Sequence, residues 1–116
     1  MIAGIGVDLC SVERLQESIQ RTPQLIERLF HESERSLKPE SLAARFALKE
    51  ALAKAIGNPK VLTWNEISLS KDVHGKPSIQ LHGTTKANFE KLGLTATHLS
   101  ISHDAGVAIA MIVLES

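Results

Sequence analysis

Aromatic residues make up only 3% of this 116-residue chain. Single-stranded nucleic acids are held largely by stacking on aromatic rings, so that mode of binding has little to work with. An excess of one charge is missing too: 13 Lys and Arg balance 13 Asp and Glu, for a formal charge of +0. No overall field draws the chain to nucleic acid or to an anionic membrane, and an electrostatic partner has to be met by a local patch. One cysteine, Cys10, excludes an intramolecular disulfide and a cysteine-built metal site, and it fits a reducing cytoplasm. No hydrophobic run is long enough to span a membrane, and no basic leader precedes the first apolar run as in a secretory signal. Internal repeats, low-complexity tracts and linkers are also missing.

What is present describes one globular domain over residues 1–116, with 43% hydrophobic and 22% charged residues. The run Met1 to Leu9 is rich in Ile and Val and predicts a strand with one carboxylate, Asp8, at its end. Ser11 is the expected cap of a helix to Gln20, with Val12, Leu15 and Ile19 on one side. Thr22 and Pro23 are expected to cap and open a second short helix carrying Leu25, Ile26, Leu29 and Phe30. Ser41 is expected to open a long helix that Gly57-Asn58-Pro59 stops through a left-handed cap. Alternation around Ile67-Leu69 and Ile79-Leu81 predicts a hairpin turned at Asp72-Val73-His74-Gly75. A weaker helix over Thr84–Leu92 ends at Gly93. The tail predicts a strand over His98–His103, a turn at Asp104-Ala105-Gly106, and a final central strand over Val107–Leu114, apolar on both faces. Helices and strands in mixed order with two hairpins imply an α+β fold, a mainly antiparallel sheet against a long buried helix.

The long helix carries the oddest pattern. Phe46-Ala47-Leu48-Lys49-Glu50-Ala51-Leu52-Ala53-Lys54-Ala55-Ile56 is apolar on nearly every side, yet it contains Lys49, Glu50 and Lys54. Buried charge is costly without a partner or a metal, so these three need an explanation. Glu50 and Lys54 lie one turn apart on one face, and Arg45 and Lys49 repeat that spacing elsewhere. One reading is a simple surface ion pair; the other makes Glu50 a metal ligand and Lys54 a phosphate contact. Asp8 is open in the same way, as a helix cap or as a second ligand. Oxygen donors alone suit Mg²⁺, which usually accepts one or two carboxylates and completes its shell with water and substrate phosphate. A cation beside a lysine then implies a phosphorylated substrate.

Other motifs are weaker. Ser102-His103-Asp104 cannot form a hydrolase triad, because neighbouring strand residues point to opposite faces. His103 shares a face with Leu99 and Ile101, at the inner edge of the core, as a structural histidine or a phosphate contact. His31, His74, His82 and His98 show no metal-binding spacing. Gly4-Ile5-Gly6 lacks the third glycine and the placement of a dinucleotide fingerprint, and no Gly-Lys-Ser/Thr phosphate loop occurs. Gly75-Lys76-Pro77 is a hairpin tip whose lysine is also able to reach a phosphate.

Taken together, Gly4-Ile5-Gly6-Val7-Asp8 followed by Arg14, then Arg45-Phe46-Ala47-Leu48-Lys49-Glu50-Ala51 through Lys54-Ala55-Ile56-Gly57, and finally Ser100-Ile101-Ser102-His103-Asp104, resemble the bacterial holo-acyl-carrier-protein synthases. These are the short 4'-phosphopantetheinyl transferases, and the resemblance runs from Met1 nearly to the last residue. It implies a Mg²⁺ held by Asp8 and Glu50 together with the pyrophosphate of coenzyme A. It implies that Lys54 touches the phosphates and that Glu50, or a metal-oriented water, takes the proton of the attacking serine on apo-acyl-carrier protein. The β-phosphate is attacked and 3',5'-adenosine bisphosphate leaves.

By the same resemblance Arg45, His103 and the tip Gly75-Lys76-Pro77 line the nucleotide site. The tip comes from a neighbouring subunit of a homotrimer with sites at subunit interfaces, and Arg14 with Arg21 receives the acidic carrier. Two positions depart from the pattern: Ser78 follows the proline where a larger residue is common, and Glu13 and Glu17 make the docking helix less basic. Two other classes compete, a metal-independent docking module and a small phosphohydrolase. Chelation separates the first from a transferase, and cleavage of coenzyme A without a protein acceptor separates the second.

Overall fold

The computed structural model describes residues 1–116. Strand β1 (Ile2–Ser11) leads into helix α1 (Val12–Arg21), a short helix α2 (Leu25–Leu29) and the long helix α3 (Pro39–Ile56). A hairpin of β2 (Ile67–Lys71) and β3 (Pro77–Leu81) follows, then α4 (Gly83–Glu90) and a second hairpin of β4 (Ala96–Asp104) and β5 (Val107–Glu115). Both sheets are antiparallel: three strands in the order β1-β5-β4, and the separate pair β2-β3. The final strand is therefore central, as its apolar run predicts. Only one of its faces is covered, however. Ala108, Ala110, Ile112 and Leu114 are buried, while Ile109 and Met111 on the other face are exposed.

Helix α3 lies across the covered face, against β1 and β5. Its Leu42, Ala43, Ala44, Ala47, Leu48, Ala51 and Leu52 are all buried. Burial of Leu48 and Leu52 contributes roughly 1.5–3 kcal/mol each. The small alanines let the helix axis come close to the sheet.

Helix ends follow the expected chemistry with two shifts. Ser11 Oγ accepts the Arg14 N–H at 3.2 Å, capping α1. Thr22 closes α1, its N–H bonding the Ser18 carbonyl, and α2 has Gln24 at its N-cap with no side-chain capping bond, so Thr22 does not cap it. The chain turns through Thr22–Gln24 with Leu25 N–H on the Thr22 carbonyl, and α2 starts at Leu25, two residues beyond Pro23. Helix α3 starts at Pro39, two residues before Ser41, because a proline at the first position has its φ preset and has no N–H to leave unpaired. Gly57 ends it at φ 80°, as expected.

The β2-β3 hairpin closes with Lys71 opposite Pro77. At its tip Asp72 Oδ1 accepts the N–H groups of His74 (2.8 Å) and Lys76 (2.9 Å).

Candidate active site

Gly4 and Gly6 face α3 so closely that each touches its backbone. A Cβ on Gly4 would lie 2.1 Å from the Ala55 carbonyl oxygen, and one on Gly6 would lie 1.9 Å from that of Ala51. Strand β1 therefore runs antiparallel to α3 with two strand residues matched to each turn, close to the natural rises of about 3.3 Å and 1.5 Å per residue. Asp8 is the next residue on that face. It stands within hydrogen-bond reach of Lys54, four residues beyond Glu50 on α3.

Lys54 Nζ reaches across to Asp8 Oδ1 at 2.9 Å and to the Val7 carbonyl at 3.0 Å. The Asp8 side chain is largely covered, and that of Lys54 is over half exposed. Asp8 does not cap α1, since Ser11 does. Glu50 Oε1 accepts the Trp64 indole N–H at 3.3 Å. Both carboxylates also act on Cys10: burial first, then the charge of Asp8, then that of Glu50, push its thiol up to about 11.

Glu50 and Cys10 line a groove of about 470 Å³ between β1, α1, α2 and α3, and Arg14, Leu25, Leu29 and Phe46 form much of the rest. Asp8 is not part of the groove's lining, and no group of three His, Cys, Asp or Glu gathers in the chain; the acids that this end of β1 and the facing turn of α3 offer are Asp8 and Glu50. That is a poor cage for zinc and the usual protein share of a Mg²⁺ site, which takes its remaining oxygens from water and phosphate. In donor chemistry alone, two oxygen acids suit that cation better than they suit zinc.

The other charges of α3 have a different explanation. Lys49 is fully buried, with Nζ on Glu34 Oε1 at 2.7 Å, on the Leu29 carbonyl at 2.8 Å, and over the Phe30 ring. Burial holds its ammonium below the usual lysine range, and Glu34 opposes that shift. Arg45 does not pair with Lys49; its Nε lies 3.2 Å from Glu34 Oε2, and its Nη1 donates to the Ser41 carbonyl. Glu34 also accepts the N–H groups of His31 and Leu69. One buried carboxylate thus ties α3 to the turn before it and to β2.

The remaining candidates lie at the edges. His103 is exposed, not at the inner edge of the core: β4 has run past the core by that point, and Nε2 meets the Glu40 carbonyl at the start of α3 (3.1 Å). Arg14 faces the groove, and Arg21, two turns on along the same helix, is exposed. Gly75, Lys76 and Pro77 stand at the hairpin tip, with Gly75 at φ 82°. Within one chain they line no part of the groove.

A family model described as the 4'-phosphopantetheinyl transferase superfamily matches residues 4–111. The chain belongs to that family. A holo-[acyl-carrier-protein] synthase of Clavibacter sepedonicus is 50% identical over 115 residues, 99% of this chain and 97% of the relative. The crystal structure of the holo-[acyl-carrier-protein] synthase from Neisseria meningitidis superposes with a TM-score of 0.90 at 30% identity, covering 100% of both chains. The Helicobacter pylori holo-[acyl-carrier-protein] synthase in complex with coenzyme A gives a TM-score of 0.83 at 37% identity, over 96% of this chain and 99% of that one. The α+β architecture is thus that of this transferase family.

Two residues that shape the site escape a reading of the sequence alone. Glu34 sits in a polar stretch with nothing to mark it as buried, and Trp64 stands in a loop 14 residues beyond the glutamate it holds. The one available signal for Glu34 was negative: Lys49 in an apolar helix demanded a partner, without saying where.

Proposed function

We propose that the protein transfers the 4'-phosphopantetheine group of coenzyme A to a serine of apo-acyl-carrier protein, with Mg²⁺, releasing 3',5'-adenosine bisphosphate. The observation that carries this reading is the ion pair by which Lys54 of α3 reaches Asp8 of β1, with Glu50 one helical turn before Lys54 on the same face of α3. Relatives that share the fold and bear the synthase name support it, one of them in complex with coenzyme A.

Asp8 and Glu50 would hold the cation, which when bound with the pyrophosphate neutralises charge on its oxygens as it builds in the transition state. Lys54 is more than half exposed and adds an ammonium that reaches those phosphates from the Asp8 side. Glu50 takes the proton of the serine hydroxyl, directly or through one water. The serine oxygen bonds to the β-phosphorus, the bond to the bridging oxygen breaks, and the nucleotide leaves with that oxygen. Arg45, His103 and the tip Gly75-Lys76-Pro77 bind the nucleotide. Arg45 is held in place by Glu34 and His103 by the start of α3, which favours fixed positions for both. Arg14, in the groove with Leu25 and Leu29, and the exposed Arg21 further along α1 receive the acidic carrier.

A homotrimer accounts for the uncovered face of the three-stranded sheet. Ile5 (59%), Leu9 (65%) and Met111 (42%) are exposed there, with Val7 and Ile109. A contiguous apolar face of this kind marks an interface. The hairpin tip then completes the site of a neighbouring subunit. The balanced charge and the single unpaired cysteine suit a cytoplasmic enzyme.

The test is to incubate the protein with apo-acyl-carrier protein, coenzyme A and Mg²⁺ and to weigh the carrier by mass spectrometry. Addition of one phosphopantetheine, blocked by excess chelator and restored by Mg²⁺, is expected. No mass gain on any carrier supplied would end this reading.

A further inference from the structure

Trp64 is the only tryptophan in the chain, and it provides the one hydrogen bond that the Glu50 carboxylate receives. Its position is built with more care than packing requires. The turn Trp64–Glu66, with Thr63 at its start, is tied to three different elements around it. Thr63 N–H donates to Thr85 Oγ1 of α4 at 2.9 Å, Asn65 Nδ2 donates to the Glu27 carbonyl of α2 at 3.2 Å, and His82 N–H at the end of β3 donates to the Glu66 carbonyl at 2.9 Å. The Glu66 carboxylate in turn accepts N–H and hydroxyl groups from both Thr84 and Thr85. The indole itself is partly buried and packs on the core. A donor so anchored cannot follow a wandering partner.

Glu50 is the partner that needs anchoring. It stands on the wall of the groove, partly exposed, and a glutamate carries nearly the largest rotamer freedom of any side chain. Every turnover would have to freeze that freedom again. The indole N–H is a donor only, so Glu50 must present an oxygen lone pair to it, and this fixes the carboxylate by one of its two oxygens.

We infer that Trp64 is a positioning residue for the transfer: it engages one oxygen of Glu50 and leaves the other free for the cation or for the serine proton. This rests on the transferase reading given above. It also makes the hydrogen-bonding edge of the indole, not its bulk, the feature the reaction needs.

Two replacements separate those properties. Trp64→Phe keeps a ring and loses the donor. Benzothienylalanine at position 64 keeps the whole bicycle and replaces only the N–H with sulfur, so it folds even if the phenylalanine variant does not. With Mg²⁺, coenzyme A and apo-carrier, both are expected to lower kcat about tenfold, the scale of a hydrogen bond to a charged group. KM for coenzyme A and for the carrier stays at the wild-type value, and the isostere keeps the wild-type Tm. Binding of Mn²⁺ in the presence of coenzyme A, followed by electron paramagnetic resonance, weakens by a similar factor and needs no turnover.

An isostere with wild-type kcat and wild-type Mn²⁺ affinity would overturn the inference and leave Trp64 as packing. A wild-type protein that binds Mn²⁺ and coenzyme A yet never modifies a carrier would overturn the transferase reading alone, and the Mn²⁺ titration of the isostere would still decide what Trp64 does. A wild-type protein that binds no Mn²⁺ with coenzyme A present would overturn both.

Discussion

Gly6 faces the Ala51 carbonyl with no room for a side chain, a Cβ there falling 1.9 Å from the oxygen. Backbone cannot yield as a flexible side chain does, so Gly6→Ala must push β1 away from α3. A loss of at least about 1–3 kcal/mol is expected from the overpacking, read as a lower urea midpoint. Because Asp8 is only two residues further along the strand, transfer activity should fall by about 100-fold or more in the fraction that stays folded. Unchanged stability would mean that the strand does not lie where the packing puts it.

Glu50→Ala should abolish turnover and spare the fold. Its carboxylate holds nothing together except the Trp64 indole, and alanine is the best helix former. The expected result is a wild-type far-ultraviolet dichroism spectrum and no measurable phosphopantetheine transfer at ordinary Mg²⁺. A fully active variant would remove Glu50 from the mechanism.

Glu34 contributes through what it neutralises. Glu34→Ala would leave the buried Lys49 ammonium without its counter-charge, and breaking a buried pair on one side typically costs about 3–5 kcal/mol. Chemical unfolding should show that loss, and Glu34→Met combined with Lys49→Met should recover much of it, since an apolar pair has no charge to strand. A double variant no better than the single would point to Arg45 as the dependent partner instead.

Glu66 links stability to acid. Hydrogen bonds from the Thr84 hydroxyl, then the Thr85 hydroxyl and the backbone N–H groups, hold its carboxyl down from 4.5 to about 2. A folded-state value below the unfolded one stabilises the native protein above about pH 4.5, and that contribution is lost as the pH falls toward 2. Glu66→Gln should therefore lower the Tm near neutrality, and the gap to wild type should close on acidification through that window. A gap independent of pH would assign the effect to shape, not charge.

Leu9 tests the outer sheet face. It is 65% exposed in the single chain, so Leu9→Glu should leave the monomer fold intact. Analytical ultracentrifugation should find a trimer for wild type and monomers for the variant; because Leu9 also lines the groove, the oligomeric state and not the activity is the readout. A wild-type monomer at working concentration would leave the exposed face without this explanation.

Much of the fold could be read along the chain, for reasons that are local. Ser11 caps α1 and Gly57 ends α3 because capping geometry depends on a few consecutive residues. The Asp72–Gly75 turn follows from alternation and turn chemistry in the same way, and the central position of β5 from its continuous apolar run. Two helix starts differ from the local expectation: Thr22 gives α2 no side-chain cap, and Pro39, with its φ preset, opens α3 in place of Ser41.

The site divides differently. That Asp8, Glu50 and Lys54 are out of place on apolar scaffolding is visible in the residues themselves, because charge in a buried segment is costly wherever the segment goes. Which charge answers which is not. Lys54 meets Asp8 across 46 residues, Lys49 meets Glu34 across 15, and Glu50 meets Trp64 across 14. Those pairings exist because two glycines let β1 settle onto the alanine face of α3, and because the loops around α3 fold back on it. Spacing along the chain records which residues share a face of one element; only the packing of one element on another brings the faces together, and it is set by shape over the whole core.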